Sequence, residues 1–263
     1  MARIDLAQSP IGFGAFKIGR NQDVKYPQPF ELPDLREVEA LLNGLLDLGI
    51  HYIDTAPAYG LSEERIGQTI AHRRREYLLS TKVGETFERG VSAYDFSRRA
   101  VRQSIHRSLK RLRTDLLDLV FIHAGRDDVT ILKETDVVAT LCALRDEGCI
   151  RAIGLSGHSE AAFRASLDWS DAFMLTYHPE DRSLEPLIAE AARRGVSVIV
   201  KKPLASGTLS ADQAIPFALR NPGVVSVVVG SLNLSHMQEN LRSAEQIRPR
   251  SGDPNLKTSP GGS

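Results

Sequence analysis

The sequence predicts an α/β fold, a single (β/α)8 TIM barrel over residues 1–247, and three observations predict it. Short β-branched apolar runs alternate with longer segments of helical period along the whole chain, the pattern of repeated βα units. Eight such units succeed one another, more than an open doubly wound sheet usually carries. No linker or change of composition separates them into two domains.

In chain order, the first strand is read at 11–15 (IGFGA), and the stretch GRNQDVKYPQPFELPD at 19–34 reads as a long loop. The later strands are 51–54 (HYID), 77–82 (YLLSTK), 117–122 (LDLVFI), 150–155 (IRAIGL), 172–177 (AFMLTY), 196–201 (VSVIVK) and 224–229 (VVSVVV). Helices fall near 34–48, 62–72, 94–113, 131–147, 159–168, 183–194, 210–220 and 233–245, several opening on Ser, Asp or Pro and stopping at Gly. LLDLGI at 45–50, RDEGCI at 145–150 and ARRGVSVI at 192–199 each place Gly just past a helix and just before a strand. The closing stretch 248–263, RPRSGDPNLKTSPGGS, is rich in Pro, Gly and Ser and is expected to be a flexible polar tail.

The charge balance narrows the function. Lys plus Arg total 33 and Asp plus Glu total 33, so no global field draws in nucleic acid or a membrane surface. Cys142 and Cys149 lack metal-ligand or CxxC spacing, and both read as reduced. No apolar run approaches the roughly 20 residues of a membrane span, and MARIDLAQSP lacks a secretory apolar region, so the expected location is cytoplasmic. No metal site is expected, and the partner is expected to be a small molecule acted on by a monomer or weak homo-oligomer.

In a barrel of this kind the site lies at the carboxyl ends of the strands. Those ends carry Gly14 and Lys17, Asp54 and then Tyr59, Lys82, His123, Ser156 with His158, Tyr177 and His178, Lys201 and Lys202, and Gly230 with Ser231. Each alone has an ordinary explanation as a turn cap, a structural histidine or a solvated lysine. Several titratable types on consecutive ends, each after an apolar run, point to chemistry.

The segments YIDTAPAYGLSEERIG, STKVG, DLVFIH, RAIGLSG, KPLASGTL and GSLNLSHMQEN resemble aldo-keto reductases in order and spacing, from about Ile11 to Ala244. The resemblance implies a barrel that transfers hydride between a nicotinamide cofactor and a carbonyl carbon without metal. It places the catalytic tetrad on Asp54, Tyr59, Lys82 and His123. It implies cofactor contacts from Gly14, Asp54, Ser156, Tyr177, Lys202, Pro203, Leu204, Gly207, Gly230, Ser231, Asn233, His236, Glu239 and Asn240. Within that set, Ser156 would face the nicotinamide amide, residues 202–207 the pyrophosphate and residues 231–240 the adenosine end. GFGAFKIG at 12–19 lacks the G-x-G-x-x-G spacing and is not a Rossmann fingerprint.

The pattern also departs from the family. Gly157 stands where an asparagine is common, Met174 where a glutamine is, and Lys201 where a stacking aromatic is frequent. Gly230 and His236 replace the Lys and Arg that grip a 2′-phosphate in many members, so NADP(H) is favoured by resemblance while NAD(H) is also possible. His158, His178, Lys201 and Lys202 are the nearby groups that could compensate, Lys202 as a phosphate contact.

The tetrad answers a chemical need. A phenol with a pKa near 10 exchanges its proton poorly near neutrality. Lys82 is expected to lower the Tyr59 pKa, Asp54 to hold Lys82 charged, and His123 to donate a hydrogen bond to the carbonyl oxygen. Two other classes are compatible with the chain: a nicotinamide-binding regulator with little turnover, and a Schiff-base aldolase using Lys82 or Lys201.

Overall fold

The computed structural model describes residues 9–24, 29–125 and 127–248. In chain order its strands are β1 (Ile11–Gly14), β2 (Tyr52–Asp54), β3 (Leu78–Val83), β4 (Glu85–Glu88), β5 (Val91–Tyr94), β6 (Leu117–His123), β7 (Ile150–Ser156), β8 (Ala172–Thr176), β9 (Ser197–Lys201) and β10 (Val224–Val229). Eight of them close a parallel barrel in the order β1-β10-β9-β8-β7-β6-β3-β2, sealed by pairing of Ile11 with Val227 and of Phe13 with Ile53. This is the (β/α)8 barrel the alternation predicts.

The helices are α1 (Leu35–Asp47), α2 (Ser62–Thr69), α3 (Arg98–Leu112), α4 (Asp128–Glu134), α5 (Val137–Asp146), α6 (Glu160–Ala165), α7 (Glu185–Arg194), α8 (Ala211–Arg220) and α9 (Leu234–Glu245). Local chemistry starts and stops them. Asp34 opens α1 with a reciprocal capping box to Glu37, and Ser97 and Ser159 cap α3 and α6. Gly49, Gly148 and Gly195, read as helix-to-strand joints, all have positive φ.

Two apolar layers result from the period-two pleat. Outward-facing strand residues and the helices share one cluster that includes Phe13, Ile53, Leu79, Val120, Ile153, Phe173 and Val198. Inward-facing Tyr52, Leu119, Phe121, Ala152, Met174, Ile199 and Val228 fill the lumen. Gly12 and Gly154 make room for the two large rings there. A Cβ on Gly12 would stand 2.4 Å from Tyr52 Cδ1, and one on Gly154 would stand 2.8 Å from Phe121 Cε1.

The structure differs from the sequence expectation in three places. The helix expected at 94–113 begins only at Arg98, because residues 85–94 form an antiparallel hairpin, β4–β5, turned by Arg89 and Gly90, both with positive φ. The helix expected at 131–147 is two helices, broken at extended Thr135. The helix expected at 62–72 ends at Thr69 and gives way to a 3-10 segment, Ala71–Glu76.

Within 19–34, residues 25–28 lie outside the described residues, as do 249–263 of the expected tail. Arg248 is docked, its guanidinium donating to the carbonyls of Val224 and of Asn221, the latter at 2.8 Å. Among the described residues no helix is long and apolar enough to cross a membrane.

Candidate active site

Strand parity puts Asp54 of β2 and Ser80 and Lys82 of β3 on the lumen side, with Asp54 registered between Gly14 and Ser80. Lys82 Nζ donates to Asp54 Oδ1 at 2.7 Å, to Asp54 Oδ2 at 2.6 Å and to the Thr55 carbonyl at 2.8 Å. Asp54 Oδ1 also accepts from Ser80 Oγ at 2.7 Å, and that hydroxyl pairs with Tyr52 OH at 2.9 Å. The ion pair is almost wholly enclosed, its side chains 1 % and 4 % exposed. Burial pulls the Lys82 pKa down, but the Asp54 charge, helped by Tyr59, carries the net shift upward, so the ammonium persists.

Tyr59 is delivered to this pair by the 3-10 turn Pro57–Tyr59. The following Gly60 has φ of 62°, and a Cβ there would stand 2.4 Å from the Gly19 carbonyl. The Leu61 N–H donates to that same carbonyl at 3.1 Å, and Arg20 Nη1 donates to the Ala58 carbonyl at 3.0 Å. The turn is therefore bound to the loop after β1. Lys82 Nζ lies 4.7 Å from the Tyr59 ring centroid, while Phe16 and His123 meet the ring edge-on at 5.2 Å and 6.4 Å.

Lys82 does pull the Tyr59 pKa down, as expected, but the net shift is upward because burial outweighs it. Burial raises it, Lys82 opposes and Asp54 adds to the rise, leaving Tyr59 at about 12. The phenol is thus a protonated donor across the neutral range.

His123, at the end of β6, faces a carboxylate that the sequence reading did not single out. Glu85 Oε2 of β4 is 2.9 Å from His123 Nδ1, an ion-pair distance without the alignment of a regular hydrogen bond. Burial raises the Glu85 pKa, but His123, Ser92 and Tyr94 outweigh it and bring it to about 2. The signal for Glu85 was present as Arg89-Gly90 between short alternating runs, a weaker hairpin mark than Asn-Gly.

The opposite wall carries the residues expected to meet a cofactor. Ser156 is buried at the end of β7, opposite His123 and Met174 in register, and its Oγ accepts from Lys201 Nζ at 3.0 Å. Lys201 also donates to the Gly157 carbonyl at 3.1 Å. Burial, with Lys202 and Lys82 nearby, lowers the Lys201 pKa to about 7. Past β9, Lys202 and Ala205 have positive φ, and Gly207, with φ of 104°, has nothing within 4 Å of where its Cβ would be. Lys202 and Gly207 are exposed and Pro203 is buried.

The twelve-residue α9 opens on Asn233, whose Oδ1 accepts from the Ser235 N–H at 2.8 Å, with Ser231 Oγ accepting from the Asn233 N–H at 3.1 Å. His236 and Glu239 are exposed on its first turns and Asn240 is buried. Gly14 and Gly230 face each other so closely that a Cβ on Gly230 would be 3.0 Å from the Gly14 carbonyl. An open lip with a lysine, beside a long helix N-terminus, has the chemistry to hold a phosphate-bearing cofactor.

Tyr177 is not brought to the mouth. Its ring packs on Phe217 at 5.0 Å and its hydroxyl donates to Glu185 Oε1 at 2.7 Å, in the layer between barrel and helices. The cofactor contact expected of it is therefore withdrawn. Tyr177→Phe should leave nicotinamide-cofactor affinity unchanged in a fluorescence titration. His178, also buried, pairs through its backbone with Asp181. Among the described residues no three His, Cys, Asp or Glu side chains are placed to hold a metal ion.

The closed parallel barrel holds at its mouth a buried Lys–Asp pair under a tyrosine and a histidine, and comparison with known proteins makes the chain an NAD(P)H-dependent oxidoreductase. The profile of the Aldo/keto reductase family matches residues 10–215. A Pseudomonas aeruginosa structure described as an aldo-keto reductase is 40 % identical, with a TM-score of 0.84 over 91 % of this chain and 90 % of that one. An L-galactose dehydrogenase of Arabidopsis thaliana is 29 % identical over 92 % of this chain and 86 % of its own length. An NADH-specific methylglyoxal reductase of Escherichia coli is 32 % identical over 62 % of this chain and 55 % of its own length. The chain belongs to the aldo/keto reductase family.

Proposed function

We propose that the chain reduces an aldehyde or ketone, or oxidises the corresponding alcohol or sugar, with Tyr59 as general acid and base and with Asp54, Lys82 and His123 supporting it. When bound, the nicotinamide supplies or receives the hydride. Tyr59, kept protonated by burial, gives its proton to the carbonyl oxygen in reduction and takes it back in oxidation. Lys82 stabilises the phenolate so formed, and Asp54 keeps the ammonium in place. His123 orients the oxygen.

The observation that carries this reading is the enclosed Lys82–Asp54 pair with Lys82 Nζ 4.7 Å from the Tyr59 ring centroid. Relatives named for L-galactose and methylglyoxal support a small sugar or aldehyde as substrate. Fluorescence quenching of the chain by NADPH and by NADH in parallel, followed by a carbonyl panel with the tighter cofactor, tests it. A chain that binds both cofactors and turns over no carbonyl would instead be the regulator.

In this reading Ser156, Lys202, Pro203, Leu204, Gly207, Ser231, Asn233, Glu239 and Asn240 hold the cofactor, with Gly14, Asp54, Gly230 and His236 beside it. Lys at position 230 would crowd the Gly14 carbonyl, whereas His236 is exposed and open to change. His236→Arg should therefore tighten NADPH over NADH by about 1–3 kcal/mol, the worth of hydrogen bonds to a charged group. Equal effects on both cofactors, measured by titration, would place the adenosine end elsewhere.

Lys201 favours a second reading, imine chemistry, because desolvation brings its amine to about 7 while Lys82 stays charged. Borohydride trapping of a carbonyl substrate on Lys201 would reveal it.

A further inference from the structure

Glu85 has no part in the chemistry derived so far, yet its position is closely fixed. Ser92 Oγ donates to its Oε1 at 2.9 Å across the β4–β5 hairpin. Two residues on, the Phe87 ring lies under the Arg20 guanidinium, 3.5 Å from ring centroid to Cζ, and Arg20 is itself anchored to the Ala58 carbonyl beside Tyr59. The Asp95 N–H donates to the Gly84 carbonyl at 2.9 Å and closes the base of the hairpin. The other oxygen, Oε2, lies 2.9 Å from His123 Nδ1, the two side chains being 13 % and 21 % exposed.

A neutral imidazole has one N–H, and its other nitrogen is an acceptor. A carboxylate at this distance attracts an Nδ1 proton and repels an Nδ1 lone pair, so it selects the tautomer that bears hydrogen on Nδ1. The Nε2 then carries the lone pair. We propose that Glu85 is a positioning residue that fixes the Nδ1 proton of His123, so that His123 offers Nε2–H to the carbonyl oxygen only as the imidazolium. The proposal rests on the reading of His123 as the group that orients that oxygen.

Besides β6 and the β4 that carries Glu85, four elements present polar groups to His123: Tyr59 after β2, Lys82 on β3, Lys201 on β9 and His158 after β7. Burial lowers the His123 pKa from 6.5, Glu85 opposes this and the two lysines reinforce it. Its charged form therefore populates on the acid side of neutrality. Carbonyl reduction, as kcat/KM, should fall by about tenfold per pH unit as pH rises through the His123 range. Tyr59, at about 12, contributes nothing to that limb.

Two measurements test the pairing. In the wild-type chain, nitrogen-15 NMR of His123 above its titration should show hydrogen on Nδ1, and the Nε2–H tautomer would overturn the proposal whether or not a substrate is known. In Glu85→Gln the amide can accept from Nδ1–H or donate to a bare Nδ1, so the selection is lost. The fall of kcat/KM with rising pH through the His123 range should flatten in that variant. A limb unchanged in a folded Glu85→Gln chain would overturn the proposal. If the variant does not fold, the wild-type spectrum still decides. Loss of turnover in wild type with an Nδ1–H spectrum would sink the reductase reading while upholding the tautomer selection.

Discussion

Tyr59→Phe should lower kcat by about 10²–10⁴-fold, the usual worth of a positioned general acid, while cofactor affinity hardly changes. The ring and its edge-on contacts with Phe16 and His123 are kept, so only the phenol is lost. The pH dependence of the wild type gives an independent check. With Tyr59 at about 12, its acid form persists through neutrality, and alcohol oxidation, which needs the phenolate, should climb with pH across the alkaline range. Near-wild-type turnover in the phenylalanine variant would remove Tyr59 from the mechanism.

Lys82→Met should cost about 3–5 kcal/mol of stability, because it leaves the Asp54 carboxylate enclosed without its counter-ion. In a chain of this size that is a melting temperature lower by roughly 10 °C. Ser80 and the Tyr52 hydroxyl behind it are too few to replace an ammonium that reaches both carboxylate oxygens. Combining Lys82→Met with Asp54→Asn should recover much of the loss, since both charges are then gone, while activity stays low.

The sign of the pH effect follows from the raised Lys82 pKa. The pair's contribution is complete below the ordinary lysine value of 10.5 and is lost as pH rises through the higher folded value. Wild type should therefore lose its advantage over Lys82→Met only in strong alkali. Equal melting temperatures for the two at neutral pH would show that the pair is not a stabilising element.

Sequence alone was enough for the barrel and for bringing Asp54, Tyr59, Lys82 and His123 together. Eight βα units can close in very few ways, and closure gathers every strand's carboxyl end at one mouth whatever the side chains are. Parity along a strand decides which residues face the lumen and so accounts for Asp54 and Lys82 there, together with Ser80, which the sequence reading did not single out. The same parity, counted from inward-facing Met174, turns Tyr177 outward, and its packing on Phe217 bears this out.

Tertiary structure decided what no local pattern holds. The turn of the β4–β5 hairpin is marked locally by Arg89-Gly90, but its placement against His123 is fixed by contacts remote in sequence, Phe87 with Arg20 and Glu85 with His123 across the mouth. The Tyr59 pKa depends on the whole of its surroundings. The sequence pairs it with Lys82, which lowers it, but the desolvation that raises it is a sum over every group enclosing the ring, and that sum exists only after folding.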